Sequence, residues 1–291
     1  MVQPLFEGCA AALITPFKDG KVDFPALDRI IDFQLSQGTD ALVACGTTGE
    51  PSTMTDAEWE AVLGRVVDRA RGKVPVIAGT GGNSTADTIA KARRAKRLGA
   101  AAQLCVTPYY NKTTQAGLIA HYTAIAEDGA LPVIVYNVPS RTGLNMLPET
   151  LERLAAQENI VALKEASGNM AQIMEMLRLC GDRLTFYSGS DELTVPFRAM
   201  GGKGTISVAA NIAPRLMRDM THLPLPQAAA LNLQALPLIN ALFSEVNPIP
   251  VKAAAALLGL CENQVRLPLV PLSEEHEQTL KKEMQKAGLI C

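Results

Sequence analysis

The sequence predicts an α/β protein, a (β/α)8 TIM barrel with a C-terminal helical appendage. Three observations carry this. Short apolar runs rich in Val, Ile and Ala recur along the first three quarters of the chain. Helical patterns with capping residues separate them. A glycine recurs just before the next apolar run. Apolar runs without strict alternation mark parallel strands buried on both faces. Eight strand–helix units, joined by right-handed crossovers, close most economically into a barrel. An open doubly wound sheet is the structural rival, but such sheets usually have fewer strands.

Taken in order, strands are predicted over residues 9–17, 41–46, 74–80, 101–109, 131–138, 160–166, 184–189 and 204–210. Thr55-Asp-Ala-Glu58 is a capping box that opens a helix running to about residue 71. Ser84 caps a helix that ends at Leu98-Gly99, and Pro148 suits the first turn of another. Gly38, Gly72, Gly99, Gly129, Gly181 and Gly201 each fit the left-handed residue that follows a helix. After residue 222 the pattern changes. Residues 226–245, 248–259 and 273–288 read as helices only, separated by Pro248 and by the Pro268–Pro271 stretch. The chain therefore divides into a catalytic barrel, 1–222, and a helical appendage, 223–291.

Composition narrows the function. Lys+Arg is 27 and Asp+Glu 29 over 291 residues, so the formal net charge of −2 lacks the basic excess of a nucleic-acid binder. Hydrophobic residues at 48% are enough for a large core. The six cysteines are scattered and the three histidines show no ligand spacing, so neither a disulfide framework nor a zinc site is expected. The N-terminus has no basic segment followed by an apolar one, and no apolar run reaches membrane-spanning length. A cytoplasmic protein is expected, without nucleic-acid or membrane partners.

In a barrel of this kind the chemistry sits at the C-terminal ends of the strands. Those ends carry Thr47-Thr48 and Glu50, Tyr109-Tyr110, Tyr136 through Arg141, Lys164-Glu165, Gly189 through Asp191, and Ile206-Ser207. Three of only five tyrosines lie there, with Tyr187 beside them. Lys164 is the sharpest signal. Strand alternation puts Ile160, Ala162, Lys164 and Ala166 on one face. Burial disfavours a charged lysine, and a neutral amine is a nucleophile. The residues alone allow two readings: a Schiff-base lysine, or half of a buried ion pair. Glu165 faces the other way by the same alternation, so Glu50 and Asp191 are the only evident strand-end carboxylates left to pair with it. Tyr136, one strand away, can shuttle a proton or simply fill the core. Gly46-Thr-Thr-Gly49 can bind a small carboxylate or be a plain turn. Arg141 can fork onto a second carboxylate or stay solvated. Gly79-Thr-Gly81-Gly82-Asn83-Ser84 lacks the third glycine of a dinucleotide fingerprint and follows the third strand, not the first.

These residues carry a resemblance. Gly46-Thr-Thr-Gly-Glu50, Tyr136-Asn-Val-Pro-Ser-Arg-Thr-Gly143 and Lys164-Glu-Ala-Ser-Gly168 are similar to motifs of the dihydrodipicolinate synthase branch of the pyruvate-dependent lyases. The likeness runs from Gly8 into the C-terminal helices. Thr47-Thr48 and Arg141 separate the chain from the neuraminate-lyase branch. The resemblance implies that Lys164 forms an imine with pyruvate. It implies a proton relay of Tyr136, Thr47 and Tyr110, with Tyr110 supplied by a neighbouring subunit. Thr48 and the backbone at Ile206, near Gly189, would hold pyruvate, and Arg141 the carboxylate of aspartate semialdehyde. It further implies a homotetramer, a dimer of dimers, with no metal or organic cofactor. Alternatives are a Schiff-base lyase on a sugar acid, such as N-acetylneuraminate or 2-keto-3-deoxygluconate, and a non-catalytic small-acid sensor. Asn83 and Tyr109 match positions at which lysine-inhibited members bind lysine. Asp56 and Trp59 stand where some such members carry His, and Asp87 where Glu is usual, so feedback by lysine is expected to be weak or absent.

Overall fold

The computed structural model describes residues 3–291. Strand β1 spans Gly8–Ala12. A small antiparallel hairpin follows, β2 (Phe17–Lys18) and β3 (Lys21–Val22), before helix α1 (Phe24–Ser36). Strand and helix then alternate. β4 (Ala41–Ala44) leads to α2 (Asp56–Ala70), β5 (Val76–Gly79) to α3 (Thr85–Leu98), and β6 (Ala102–Val106) to α4 (Gln115–Asp128). β7 (Val133–Asn137) is followed by the single turn α5 (Pro139–Thr142) and by α6 (Pro148–Leu154). β8 (Ile160–Glu165) leads to α7 (Met170–Cys180), β9 (Thr185–Ser188) to α8 (Thr194–Ala199), and β10 (Gly204–Ser207) to α9 (Pro214–His222). Beyond these lie α10 (Leu225–Leu242), α11 (Ile249–Leu257) and α12 (Glu274–Lys286).

Eight strands, β1 and β4 to β10, form one closed barrel, each paired in parallel with its neighbours, and β1 closes it by pairing with both β4 and β10. This is the predicted (β/α)8 barrel. The local signals act as read. Thr55 and Glu58 cap α2 reciprocally, with Glu58 N donating to Thr55 Oγ1 and Thr55 N donating to Glu58 Oε2. Ser84 caps α3, and Gly99 follows it at φ 93°. Gly181 is the exception: its φ of −65° keeps it right-handed, so it ends α7 without a left-handed turn. The first strand is shorter than predicted. It stops at Ala12, and Phe17 enters the hairpin instead.

The barrel interior is lined largely by small and medium residues, among them Ala10, Val43, Ile77, Leu104, Ile134 and Ala162. Eight strands enclose only enough space for such layers of side chains. Phe6 and Tyr187 plug the interior: their rings stack at 4.3 Å and the Tyr187 hydroxyl donates to the Phe6 carbonyl at 2.9 Å. Tyr187 thus belongs to the core and not to the strand-end chemistry.

Strand β8 departs from simple alternation. Val133 faces Ile160 in register, but Ile134 faces Ala162, leaving Val161 as an extra residue. Such a bulge swaps the faces of the residues on its two sides. Ile160 therefore packs outward with Leu163 against the helices, while Ala162 lies in the inner core. The predicted face of Ile160, Ala162 and Lys164 is corrected to Ala162 and Lys164. The bulge sets the parity that brings Lys164 inside.

The C-terminal helices pack on one flank. α10 lies against α8, α9 and α12, and α11 against α12. The turn between α10 and α11 returns over the barrel mouth, where Phe243 and Asn247 line the same cavity as the strand ends.

Candidate active site

Lys164 and Tyr136 are opposite each other in the β7–β8 ladder. The ladder fixes their separation: the lysine Nζ sits over the tyrosine ring, 4.4 Å from its centroid. Lys164 is 5% exposed. Burial pulls its pKa down to about 8, against a smaller opposing pull from Asp191. Burial pushes the Tyr136 hydroxyl up to about 12, so it stays protonated at neutral pH. Neither strand-end carboxylate holds the lysine. Glu50 pairs with Lys252 at 2.5 Å, and Asp191 accepts the amides of Val208 and Ala209 at 3.1 and 2.8 Å. The ion-pair reading of Lys164 therefore fails among the described residues, and a buried, partly deprotonated amine remains.

The amine opens into a cavity of about 430 Å³, which Thr47, Thr48, Arg141 and Gly189 also line. Gly189 is needed for space: a Cβ there would stand 3.0 Å from Lys164 Cε and 2.7 Å from Ala166 Cβ. Thr47–Gly49 forms a 3-10 turn after β4, with Thr47 exposed to the mouth and Thr48 buried. Arg141 sits in α5, where Pro139 starts the turn, and its Nη2 donates to the Asn247 carbonyl at 3.1 Å.

Six of the eight predicted site residues thus line one cavity. Ile206 lies in the inner core beneath it, with its side chain buried. Tyr110 does not reach the cavity within this chain. It is 92% exposed and sits at φ 68°, an unusual conformation for a tyrosine. The signature residue Glu165 faces away from Lys164 and accepts from Asn137 Nδ2 at 2.9 Å and from Ser167 N at 2.6 Å. It ties β8 to β7 on the outer side.

Sequence reasoning missed the contribution of the appendage. Asn247 Nδ2 donates to Thr48 Oγ1 at 3.0 Å, and its carbonyl holds Arg141, so one residue braces both predicted carboxylate binders. Lys252, fully buried, pairs with Glu50. A signal existed for Lys252: it is the one charged residue in the apolar helix Ile249–Leu257, and lysines are rarely buried without a partner. Asn247 had no comparable signal, since its contacts arise only when the chain folds back.

Comparison with known proteins agrees with this geometry. Residues 5–287 match the model of the dihydrodipicolinate synthetase family. A protein of Trichlorobacter lovleyi named 4-hydroxy-tetrahydrodipicolinate synthase is 51% identical over 290 residues, 98% of this chain and all of that one. The dihydrodipicolinate synthase structure of Thermotoga maritima superposes with a TM-score of 0.97 at 42% identity, covering 99% of this chain and 100% of the other. The chloride-inhibited dihydrodipicolinate synthase of Acinetobacter baumannii, complexed with pyruvate, superposes at 0.96 with 43% identity, over 98% and 99% of the two chains. The chain belongs to the dihydrodipicolinate synthetase family.

Proposed function

We propose that the chain condenses pyruvate with L-aspartate 4-semialdehyde to give 4-hydroxy-tetrahydrodipicolinate, in the route to diaminopimelate and lysine. One observation carries this most directly: a buried lysine with a lowered pKa lies over the ring of a protonated tyrosine, in a cavity whose mouth holds an arginine. Relatives about half identical over their whole length bear the synthase name, which favours this reading over a lyase acting on a sugar acid.

The neutral Lys164 amine attacks the keto carbon of pyruvate, and the carbinolamine loses water to form an imine. The protonated imine draws electrons, so the methyl group loses a proton and becomes an enamine carbon. That carbon adds to the aldehyde of the second substrate, whose oxygen takes up a proton as a hydroxyl. The substrate amino group then attacks the imine carbon, closing the ring, and Lys164 leaves as the free amine. Tyr136, kept protonated by burial, donates and recovers protons in these steps, with Thr47 as the next hydroxyl in the relay. Thr48 accepts from Asn247, which leaves its own hydroxyl proton for the pyruvate carboxylate. Arg141, steadied by the Asn247 carbonyl, forks onto the semialdehyde carboxylate.

The full site includes a second copy of the chain. Tyr110 completes the relay from a neighbouring subunit of a tight dimer, within a homotetramer. Its exposure and strained backbone in the single chain support this. We place the reaction in the cytoplasm; no helix among the described residues is long and apolar enough to cross a membrane. Borohydride reduction in the presence of pyruvate tests the core of the reading. It should add one pyruvate-derived mass at Lys164. An unmodified Lys164 in active enzyme would overturn it.

A further inference from the structure

The turn that carries Thr47 and Thr48 ends in Glu50, whose backbone is left-handed at φ 54°, ψ 43°. A non-glycine residue holds that conformation only where its surroundings enforce it. Here the surroundings come from the far end of the chain. Glu50 Oε1 lies 2.5 Å from Lys252 Nζ, and Glu50 Oε2 accepts the backbone N–H of Arg266 at 3.1 Å. Lys252 Nζ also donates to the Gln264 carbonyl at 2.7 Å and rests 4.0 Å above the Phe17 ring. The Arg266 guanidinium lies against the same ring at 4.2 Å and binds Glu58 of α2. Glu50 closes the turn at its other end through its own N–H, which donates to the Thr47 carbonyl at 3.1 Å.

Both charges are almost wholly removed from water: Lys252 is 0% and Glu50 3% exposed. Neither lines the cavity that contains Lys164, so neither touches a substrate there. A buried ion pair is a poor source of stability compared with apolar residues of the same size, but it accepts little change in geometry. Its position suits a geometric role, because Glu50 directly follows the turn that presents the two hydroxyls.

We propose that Glu50 and Lys252 are positioning residues. Their pair locks the Thr47–Thr48 turn in register with Lys164, and it makes the pyruvate half of the reaction depend on the C-terminal appendage. This rests on the function proposed above, in which Thr47 and Thr48 serve pyruvate.

The test compares the full-length parent with E50Q and with E50Q/K252M. The double variant removes both charges at once, so it leaves no unpaired ion. The side-chain amide introduced by E50Q keeps an acceptor for the Arg266 N–H. The expected result is a folded double variant, with a thermal midpoint near the parent's. Its pyruvate KM should rise and its rate of borohydride-trappable imine formation should fall, each by about 10- to 100-fold, the usual consequence of an ångström-scale misplacement. The KM for aspartate semialdehyde should change little, because Arg141 is held independently by Asn247. Amide hydrogen exchange over residues 46–50 should accelerate relative to the parent. A folded double variant with parental pyruvate KM and trapping rate overturns the proposal. Should the double variant fail to fold, the isosteric E50Q alone decides the matter by the same readouts. A parent that traps no pyruvate at all would sink the proposed function instead, while unchanged exchange over 46–50 in the variants would still refute the positioning role.

Discussion

Two halves of the site are held in different ways. Lys164 and Tyr136 stand on adjacent strands of a closed parallel barrel, and the ladder between β7 and β8 sets their spacing. Thr47 and Thr48 stand on a turn beyond β4, and that turn is held from outside the barrel by Asn247, Lys252 and the Arg266 amide. The amine proposed as nucleophile and its phenol are thus fixed by the hydrogen-bonded ladder of the barrel itself. The Thr48 hydroxyl, proposed to orient the keto acid, is held by a residue 199 positions away in sequence. The difference suggests a division of labour: loss of a strand residue removes chemistry, whereas loss of a tail contact loosens it.

The largest effects should come from the strand pair. Lys164→Met leaves no nucleophile, and turnover should drop by on the order of 10³-fold or more, with no trappable imine. Tyr136→Phe keeps the ring under the amine but removes its proton donor. It should cost about 10² to 10⁴ in kcat, the range for a general acid–base group, while the variant stays as stable as the parent. A Tyr136→Phe enzyme with near-normal kcat would break the comparison, because the strand half would then hold no proton carrier.

The pH dependence probes the same pair more gently. Burial is the main cause of the lowered Lys164 pKa, near 8, with Arg141 adding to it and Asp191 opposing it. Below that pH the amine is protonated and cannot attack. The rate of imine trapping with pyruvate should therefore fall about tenfold for each pH unit below the lysine pKa and level off above it. Asp191→Asn removes the opposing carboxylate, so the midpoint should move to lower pH. A midpoint that stays near the ordinary lysine value in the parent would show that the amine is solvated.

Asn247→Ala should have a smaller effect, and on binding. It removes the donor to Thr48 Oγ1 but leaves the backbone carbonyl that holds Arg141. The loss of one buried side-chain hydrogen bond corresponds to about tenfold. It should appear in the KM for pyruvate, with the semialdehyde KM nearly unchanged. Steady-state kinetics with each substrate varied separately distinguishes the two. Equal loss for both substrates would mean that the appendage acts on the whole mouth and not on the turn alone.

The same division governs what is legible in the sequence. Barrel strands and helix caps are local: Thr55 and Glu58, Ser84 and Gly99 make their contacts within a few residues, so their types and spacing are enough. Lys164 and Tyr136 are legible because strand ends in a barrel must converge. The bulge at Val161 is not, since Ile-Val-Ala-Leu carries no mark of an extra residue; only pairing with β7 reveals it. The hairpin at Phe17–Val22 is hidden for a similar reason, being two residues on each side. Asn247 and Arg266 reach the turn through tertiary packing alone; Lys252 is marked as the one charge in an apolar helix, but the change from strand–helix repeats to helices makes the whole segment look like a bystander. Treating 223–291 as an appendage describes its architecture, but it understates its part in the site.

The smallest expected effect concerns the outer side of the same turn. Thr47 borders a second cavity, which Ser52, Lys91, Gly79 and Tyr109 also line. Tyr136 and Arg141 reach it too, but Lys164 does not, so a ligand there meets the loop-held half and only the phenol of the strand-held half. Free lysine is the natural probe, since it is the distant product of the proposed route. Its α- and ε-ammonium groups need acceptors, and the two positions where some lysine-inhibited members carry His offer no free one. Asp56 is bound to Arg94 at 2.8 Å, and Trp59 is buried with its indole N–H donating to the Gly79 carbonyl at 3.3 Å. Lys91 adds a like charge to the wall. A ligand shifts an equilibrium only by its difference in affinity between the two states, and with Asp56 held by Arg94 and Lys91 in the wall the charge contacts that would create one are weakened. Millimolar lysine should therefore change the rate by less than about twofold, the shift expected from a ligand with little differential affinity. Strong inhibition, with a raised pyruvate KM and an unchanged imine-trapping pH profile, would show that the turn is the regulated half and that Asp56 gives up Arg94 to a ligand.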